Sequence, residues 1–132
     1  MNVSVPYNTQ IGEGVLFDHG FPLVINGASV IGRFAIINPN VLIGGNRKTG
    51  KSPVIGDYCY IGNGVKIIGD VKIGDWCFLA PGAVVTKSIP EGSVVGFGLN
   101  NVISRNGKER VWEYLSVKVR NQFMSDGKGN RS

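Results

Sequence analysis

Large aliphatic side chains recur every six residues along most of this chain. They stand at Ile25, Ile31, Ile37 and Ile43, and again at Ile55, Ile61, Ile67, Ile73, Leu79 and Val85. An earlier stretch keeps the interval at Val5, Ile11 and Phe17. Glycine often follows, as at Gly12, Gly32, Gly44, Gly56, Gly62 and Gly74. Four positions after the large residue comes a second, mostly small one: Val15, Ser29, Ala35, Val41, Cys59, Val65, Val71, Cys77 and Ala83. An α-helix repeats at about 3.6 residues and a strand at about two, so neither sustains this interval. A chain that winds into a coil with three short flat sides does. The pattern predicts an all-β, single-stranded parallel β-helix built on hexapeptide repeats. Its two inward positions per hexad fill the interior, and successive coils pair as parallel strands.

The interval breaks twice. Phe17 to Ile25 holds two extra residues, which swell one corner. Ile43 to Ile55 is twice the normal step, and a polar loop, Gly-Gly-Asn-Arg-Lys-Thr-Gly-Lys-Ser-Pro, replaces a hexad there. A solenoid hosts insertions at its corners, and binding often resides in them. After a turn signal at Asn106-Gly107, the spacing of Val111, Leu115, Val119 and Phe123 predicts a helix over Lys108–Met124 that clasps the body. The expected organisation is a β-helix over 1–105 with loop 44–54, then a C-terminal helix and polar tail over 106–132.

A length of 132 residues suits one domain, and 20 Gly with 6 Pro suit a chain that turns every few residues. The net charge of +5 is compatible with an anionic ligand and equally with a mildly basic surface. It is too dispersed for a nucleic-acid footprint. No apolar run is long enough to span a membrane. The start, Met-Asn-Val-Ser-Val-Pro, lacks the basic and apolar regions of a signal peptide, so the expected compartment is the cytoplasm. Cys59 and Cys77 occupy the same inward position on neighbouring coils. They are expected as small buried thiols.

The first break holds the single histidine, in Phe17-Asp18-His19-Gly20. Neutral imidazole is suited to taking a proton from an alcohol near neutral pH, although a corner histidine can also be surface decoration. One histidine excludes a three-histidine zinc site. The second break, Gly45 to Ser52, formally matches Gly-x-x-x-x-Gly-Lys-Ser. A phosphate-binding loop needs a helix after it, and Pro53 followed by the resumed hexads leaves no room for one. That loop reads either as a solvated arm or as an arm whose Arg47, Lys48 and Lys51 approach an anionic ligand.

Residues 4–105 resemble the hexapeptide-repeat acetyltransferases, in particular the catalytic half of serine O-acetyltransferases and their capsule or exopolysaccharide acetyltransferase relatives. The likeness rests on Ile11-Gly12-x-Gly14 leading into Phe17-Asp18-His19, the eight-residue step to Val24-Ile25-Asn26, and Gly44-Gly45 opening the loop. Pro53-Val54-Ile55-Gly56 and Gly82-Ala83-Val84-Val85-Thr86-Lys87-x-Ile89-Pro90 extend it. The resemblance implies a left-handed coil and a homotrimer with acetyl-CoA, as co-substrate, between adjacent subunits. It gives His19 the role of general base and Asp18 that of an acid contacting the acceptor. It places the pantetheine arm around Gly62 and Ala80, and the coenzyme-side turn at Thr86 and Lys87, where Lys87 faces a phosphate. Gly62, Ala80 and Lys87 read equally as ordinary corner residues. Asn26, Lys51 and Ser52 fall on the acceptor side. No metal is implied.

The departures matter. The family's Arg-His-Pro at the loop end is Lys51-Ser52-Pro53 here. The acid that pairs with the base falls on Ser4, and none of these 132 residues matches the family's N-terminal helical domain. The terminal coenzyme motif becomes Gly96-Phe97-Gly98-Leu99-Asn100, with Arg105 as a candidate substitute. These changes favour a sugar or polysaccharide precursor as the acetyl acceptor. Serine O-acetylation and a non-catalytic scaffold stand as the alternatives.

Overall fold

The computed structural model describes residues 3–4, 9–17 and 23–115. Their strands wind through five coils of a three-sided parallel β-solenoid. Sheet A takes one strand per coil: β1 (Val3–Ser4), β4 (Leu23–Ile25), β7 (Val41–Gly44), β10 (Lys66–Ile68) and β13 (Ala83–Val85), with β15 (Gly98–Leu99) at its end. Sheet B holds β2 (Gln10–Ile11), β5 (Val30–Ile31), β8 (Val54–Ile55) and β11 (Lys72–Ile73), continued by a single bridge from Ile73 to Ile89. Sheet C holds β3 (Leu16–Phe17), β6 (Ile36–Ile37), β9 (Tyr60–Ile61), β12 (Phe78–Leu79), β14 (Val94–Val95) and the antiparallel β16 (Val102–Ser104).

Register follows the sequence interval. Val24 pairs with Leu42, three hexads on. Ile31 pairs with Ile55, four hexads on, because loop 45–53 occupies the extra hexad. Gln10 pairs with Val30, where the swollen corner adds two residues. In the last coil Phe78 meets Val94, two residues short of three hexads, so the solenoid narrows as it closes.

The interior is the predicted one. Ile25, Ile31, Ile37, Ile43, Ile55, Ile61, Ile67, Ile73, Leu79 and Val85 are fully buried, and Ser29, Ala35, Val41, Cys59, Val65, Cys77 and Ala83 line the spaces between them. Each buried aliphatic side chain contributes roughly 1.5–3 kcal/mol relative to exposure. Ile11 and Phe17 differ: they are 38% and 41% exposed, because the first coil has a neighbour on one side only. Cys59 and Cys77 are free and buried, and their thiols donate to the carbonyls of Gly74 (3.2 Å) and Pro90 (3.3 Å).

The corner between sheets B and C carries an aromatic ladder. Phe34 and Tyr58 stack with centroids 5.4 Å apart, and Tyr58 and Trp76 with centroids 4.5 Å apart. All three adopt a left-handed backbone, with φ of 55°, 57° and 58°. Gly14 and Gly92 take the same conformation at the equivalent positions of the first and last coils. A non-glycine residue costs roughly 1–2 kcal/mol in that region. Stacking offsets about 0.5–1.5 kcal/mol per pair.

The helix docks on the outer face of sheet C, but it is shorter than the periodicity predicts. α1 spans Gly107–Trp112. Tyr114 N–H bonds the Val111 carbonyl and Leu115 N–H the Trp112 carbonyl, so the chain tightens into a turn where Lys108–Met124 was expected to continue as helix. That turn carries Leu115 in against Ile36, Leu16 and Trp112, while Val111 packs on Phe78 and Val94. Val119 and Phe123 lie outside the described residues.

Candidate functional site

The second insertion is a solvent-exposed loop held by its own hydrogen bonds. Asn46 organises it: its side-chain Oδ1 accepts from the N–H groups of Lys48 (2.8 Å) and Thr49 (3.2 Å). Its own N–H donates to the Lys51 carbonyl, and its carbonyl accepts from Gly50 N–H, both at 2.8 Å. Gly50 sits at φ 73°, which glycine reaches without strain. The loop then returns to the body at Ser52, whose Oγ donates to Asn26 Oδ1 at 2.8 Å. Asn26 Oδ1 accepts a second bond from Ala28 N–H at 3.0 Å. Between loop and body lies a cleft of about 450 Å³, lined by residues that include Asn26, Gly45, Arg47, Ser52 and Ile68.

Of the expected acceptor-side residues, Asn26 and Ser52 therefore meet, and Lys51 does not join them. The Lys51 side chain is exposed, and its backbone instead closes the loop. Strand β8 begins at Val54, directly after buried Pro53, so no helix follows the loop and the nucleotide-loop match is only formal.

The expected coenzyme residues occupy three different corners. Gly62 and Ala80 stack on consecutive coils where sheet C turns into sheet A. Gly62 N–H donates to the Leu79 carbonyl (2.9 Å) and Ala80 N–H to the Val95 carbonyl (2.8 Å). Their carbonyls accept from Val65 and Ala83, so each retains one free lone pair for a ligand while both amides are occupied. Thr86 and Lys87 lie between sheets A and B. Thr86 is bound to Asn100 twice, through its N–H and its Oγ1, each at 2.8 Å. Lys87 is exposed. Arg105 sits at the B–C corner, where its Nε and Nη2 both donate to the Glu91 carbonyl, at 3.2 and 2.6 Å. Asp18 and His19 fall between β3 and β4 in the chain, outside the described residues.

Sequence reasoning missed the contributions of Asn46 and Ile68. The signal for the first was present, since asparagine two and three residues before free amides is the local pattern of an Asx turn. Ile68 gave no signal, because only coil stacking carries it beside the loop. Among the described residues, no group of three His, Cys, Asp or Glu side chains is placed to hold a metal ion, and no helix is long and apolar enough to cross a membrane.

Residues 52–87 match the family model described as "Bacterial transferase hexapeptide (six repeats)". Fold and repeat together define the class: a β-solenoid built on the bacterial transferase hexapeptide. Solved structures it is similar to include serine acetyltransferases. The enzyme of Brucella abortus strain S19 in complex with coenzyme A is 30% identical over 74% of this chain and 40% of that one, with a TM-score of 0.70. Soybean serine acetyltransferase complexed with serine is 34% identical over 73% of this chain and 40% of that one, with a TM-score of 0.68. The Neisseria gonorrhoeae enzyme in complex with serine is 28% identical over 74% and 40%, with a TM-score of 0.69. This chain spans about two fifths of the length of these enzymes. No curated protein matches it.

Proposed function

We propose that this chain is an acetyl-CoA-dependent O-acetyltransferase. The observation that carries the reading is the shared solenoid with serine acetyltransferases, one of them in complex with coenzyme A. His19 is the general base and Asp18 its neighbour on the acceptor. The imidazole takes the proton of an acceptor hydroxyl as the oxygen attacks the thioester carbonyl. The carbon–sulfur bond then breaks, and the coenzyme thiolate leaves with the proton. Base catalysis contributes about 10²–10⁴-fold, and positioning contributes much of the rest.

The site is completed by copies of the chain, most simply a homotrimer. Gly62 and Ala80, Thr86 and Lys87, and Arg105 stand on separate corners, so they converge on one coenzyme only where corners of different copies face each other. The acceptor is a sugar or polysaccharide precursor. The support is that Ser52 is drawn into a hydrogen bond with Asn26 and offers no ring or charge at the loop end. Serine is the second reading, favoured by the neighbours complexed with serine.

Thiol release from acetyl-CoA tests both. Release dependent on a sugar and abolished in His19→Ala is expected. Release dependent on serine alone replaces the acceptor. A wild-type protein that binds no coenzyme A by calorimetry at millimolar ligand is the non-catalytic scaffold.

A further inference from the structure

The loop that closes over Asn26 brings cations without acids. Residues 45–53 contain Arg47, Lys48 and Lys51 and no Asp or Glu. No acidic side chain among the described residues lines the cleft. Among the described residues the ion pair is Arg33 with Asp57, at the B–C corner, and none of the described carboxylates pairs with the exposed Arg47. A guanidinium without such a partner, carried on a loop whose backbone is held by its own hydrogen bonds, has its forked donors open to an oxyanion.

The other cleft groups agree in chemistry. Asn26 Oδ1 is saturated by Ala28 N–H and Ser52 Oγ, which fixes the amide orientation and leaves Nδ2 as a donor. That Nδ2 lies on the Gly45 side, 3.6 Å from where a Cβ on Gly45 would stand. The same Cβ would fall 2.5 Å from Ser52 Oγ and 3.0 Å from the Lys51 carbonyl, so only glycine keeps this passage clear. Beside it, a Cβ on Gly44 would meet nothing within 4 Å. Ile68, 36% exposed, supplies one apolar wall. Charge and an amide donor on one side, with an apolar surface on another, suit a ring that carries a negative group.

We propose that this cleft binds a saccharide bearing an oxyanion, a phosphate or a carboxylate, with Arg47 and Asn26 Nδ2 as its donors. The word acceptor can be applied to that ligand only if the transferase reading above holds; the site itself does not depend on it.

Calorimetry on the full chain with glucose 1-phosphate, glucuronate and glucose tests the site. The first two separate a phosphate from a carboxylate source, and glucose is the neutral control. One or both anions are expected to bind, with glucose much weaker. Affinity is expected to fall as salt is raised. Arg47→Gln is expected to weaken the anion by about tenfold or more, as loss of a charge-assisted bond does. Lys72→Gln, which removes the same charge from the outside of sheet B, is expected to change it less than about twofold. Arg47→Lys keeps the charge but loses the fork, and should fall between them. Equal binding of glucose, equal effects of Arg47→Gln and Lys72→Gln, or no anion binding at millimolar ligand would each overturn the proposal. Thiol release is read separately: anion binding by a protein that releases no thiol sinks the transferase and keeps the site, while release with Arg47-independent binding does the reverse.

Discussion

Ser52 Oγ donates a 2.8 Å hydrogen bond to Asn26 Oδ1 across an interval of 26 residues. This bond fastens the end of the inserted loop to the corner of the preceding coil. Ser52→Ala removes it and leaves Asn26 Oδ1 with the Ala28 amide alone. We expect a loss of about 0.5–1.5 kcal/mol in denaturant unfolding. Amide exchange should rise across 45–52 and stay unchanged in sheet C. Uniform acceleration over the whole solenoid would show that the bond does not act locally.

Two glycines at different places in the coils should respond oppositely to a methyl group. A Cβ on Gly62 would stand 2.7 Å from Pro81 N and 2.8 Å from the Leu79 carbonyl, both backbone atoms that cannot step aside. A Cβ on Gly44 enters open space. Gly62→Ala should cost on the order of 2–4 kcal/mol, and Gly44→Ala should stay within about 0.5 kcal/mol of wild type. Thermal unfolding of both variants checks this, and equal melting points would refute the close packing of the Gly62 corner on Ala80-Pro81.

The aromatic ladder predicts an inversion of the usual order of substitutions. Tyr58 stacks on both Phe34 and Trp76 while held at φ 57°. Tyr58→Ala loses both stacks and keeps the backbone strain. Tyr58→Gly loses the same stacks and relieves it. The glycine variant should be the more stable by about 1 kcal/mol, although glycine normally costs more than alanine. An alanine variant of equal or greater stability in urea titration would mean that the corner relaxes once the ring is gone.

The buried thiols give a pH dependence. The Cys59 thiol is pushed well above its ordinary range by its hydrogen bond with Cys77 and then by burial. Its folded pKa is raised above the unfolded value, so its contribution is complete below about pH 8.5 and declines as pH rises beyond that. The same contact lowers the Cys77 thiol, whose contribution grows with pH and is complete above about pH 8.5, so only Cys59 acts beyond that value. With reductant present, the stability of wild type should fall faster above about pH 8.5 than that of the Cys59→Ala/Cys77→Ala double variant. Parallel pH curves would remove the thiol pair as the cause.

The hexad interval was legible because a three-sided coil imposes it on every turn. Ile61, Ile67 and Ile73 each face inward whatever their neighbours are, so periodicity alone locates the core. Both insertions were legible for the same reason, since a strict interval makes an interruption visible. The end of the helix was not. Val119 and Phe123 continue the spacing of Val111 and Leu115, but the turn at Tyr114 and Leu115 is set by the surface that sheet C offers, which no local interval contains.

The cleft shows the same division. Its cations could be read from the loop residues, as could the turn chemistry of Asn46. That Asn26 and Ser52 would meet, that Ile68 would stand beside them, and that Lys51 would face outward depended on which coil lies against which. Inward-facing positions repeat with the chain and are written in its order of residues. Contacts between corners depend on the stacking of whole coils, because each corner side chain chooses among partners that are distant in sequence and close only after the solenoid has formed.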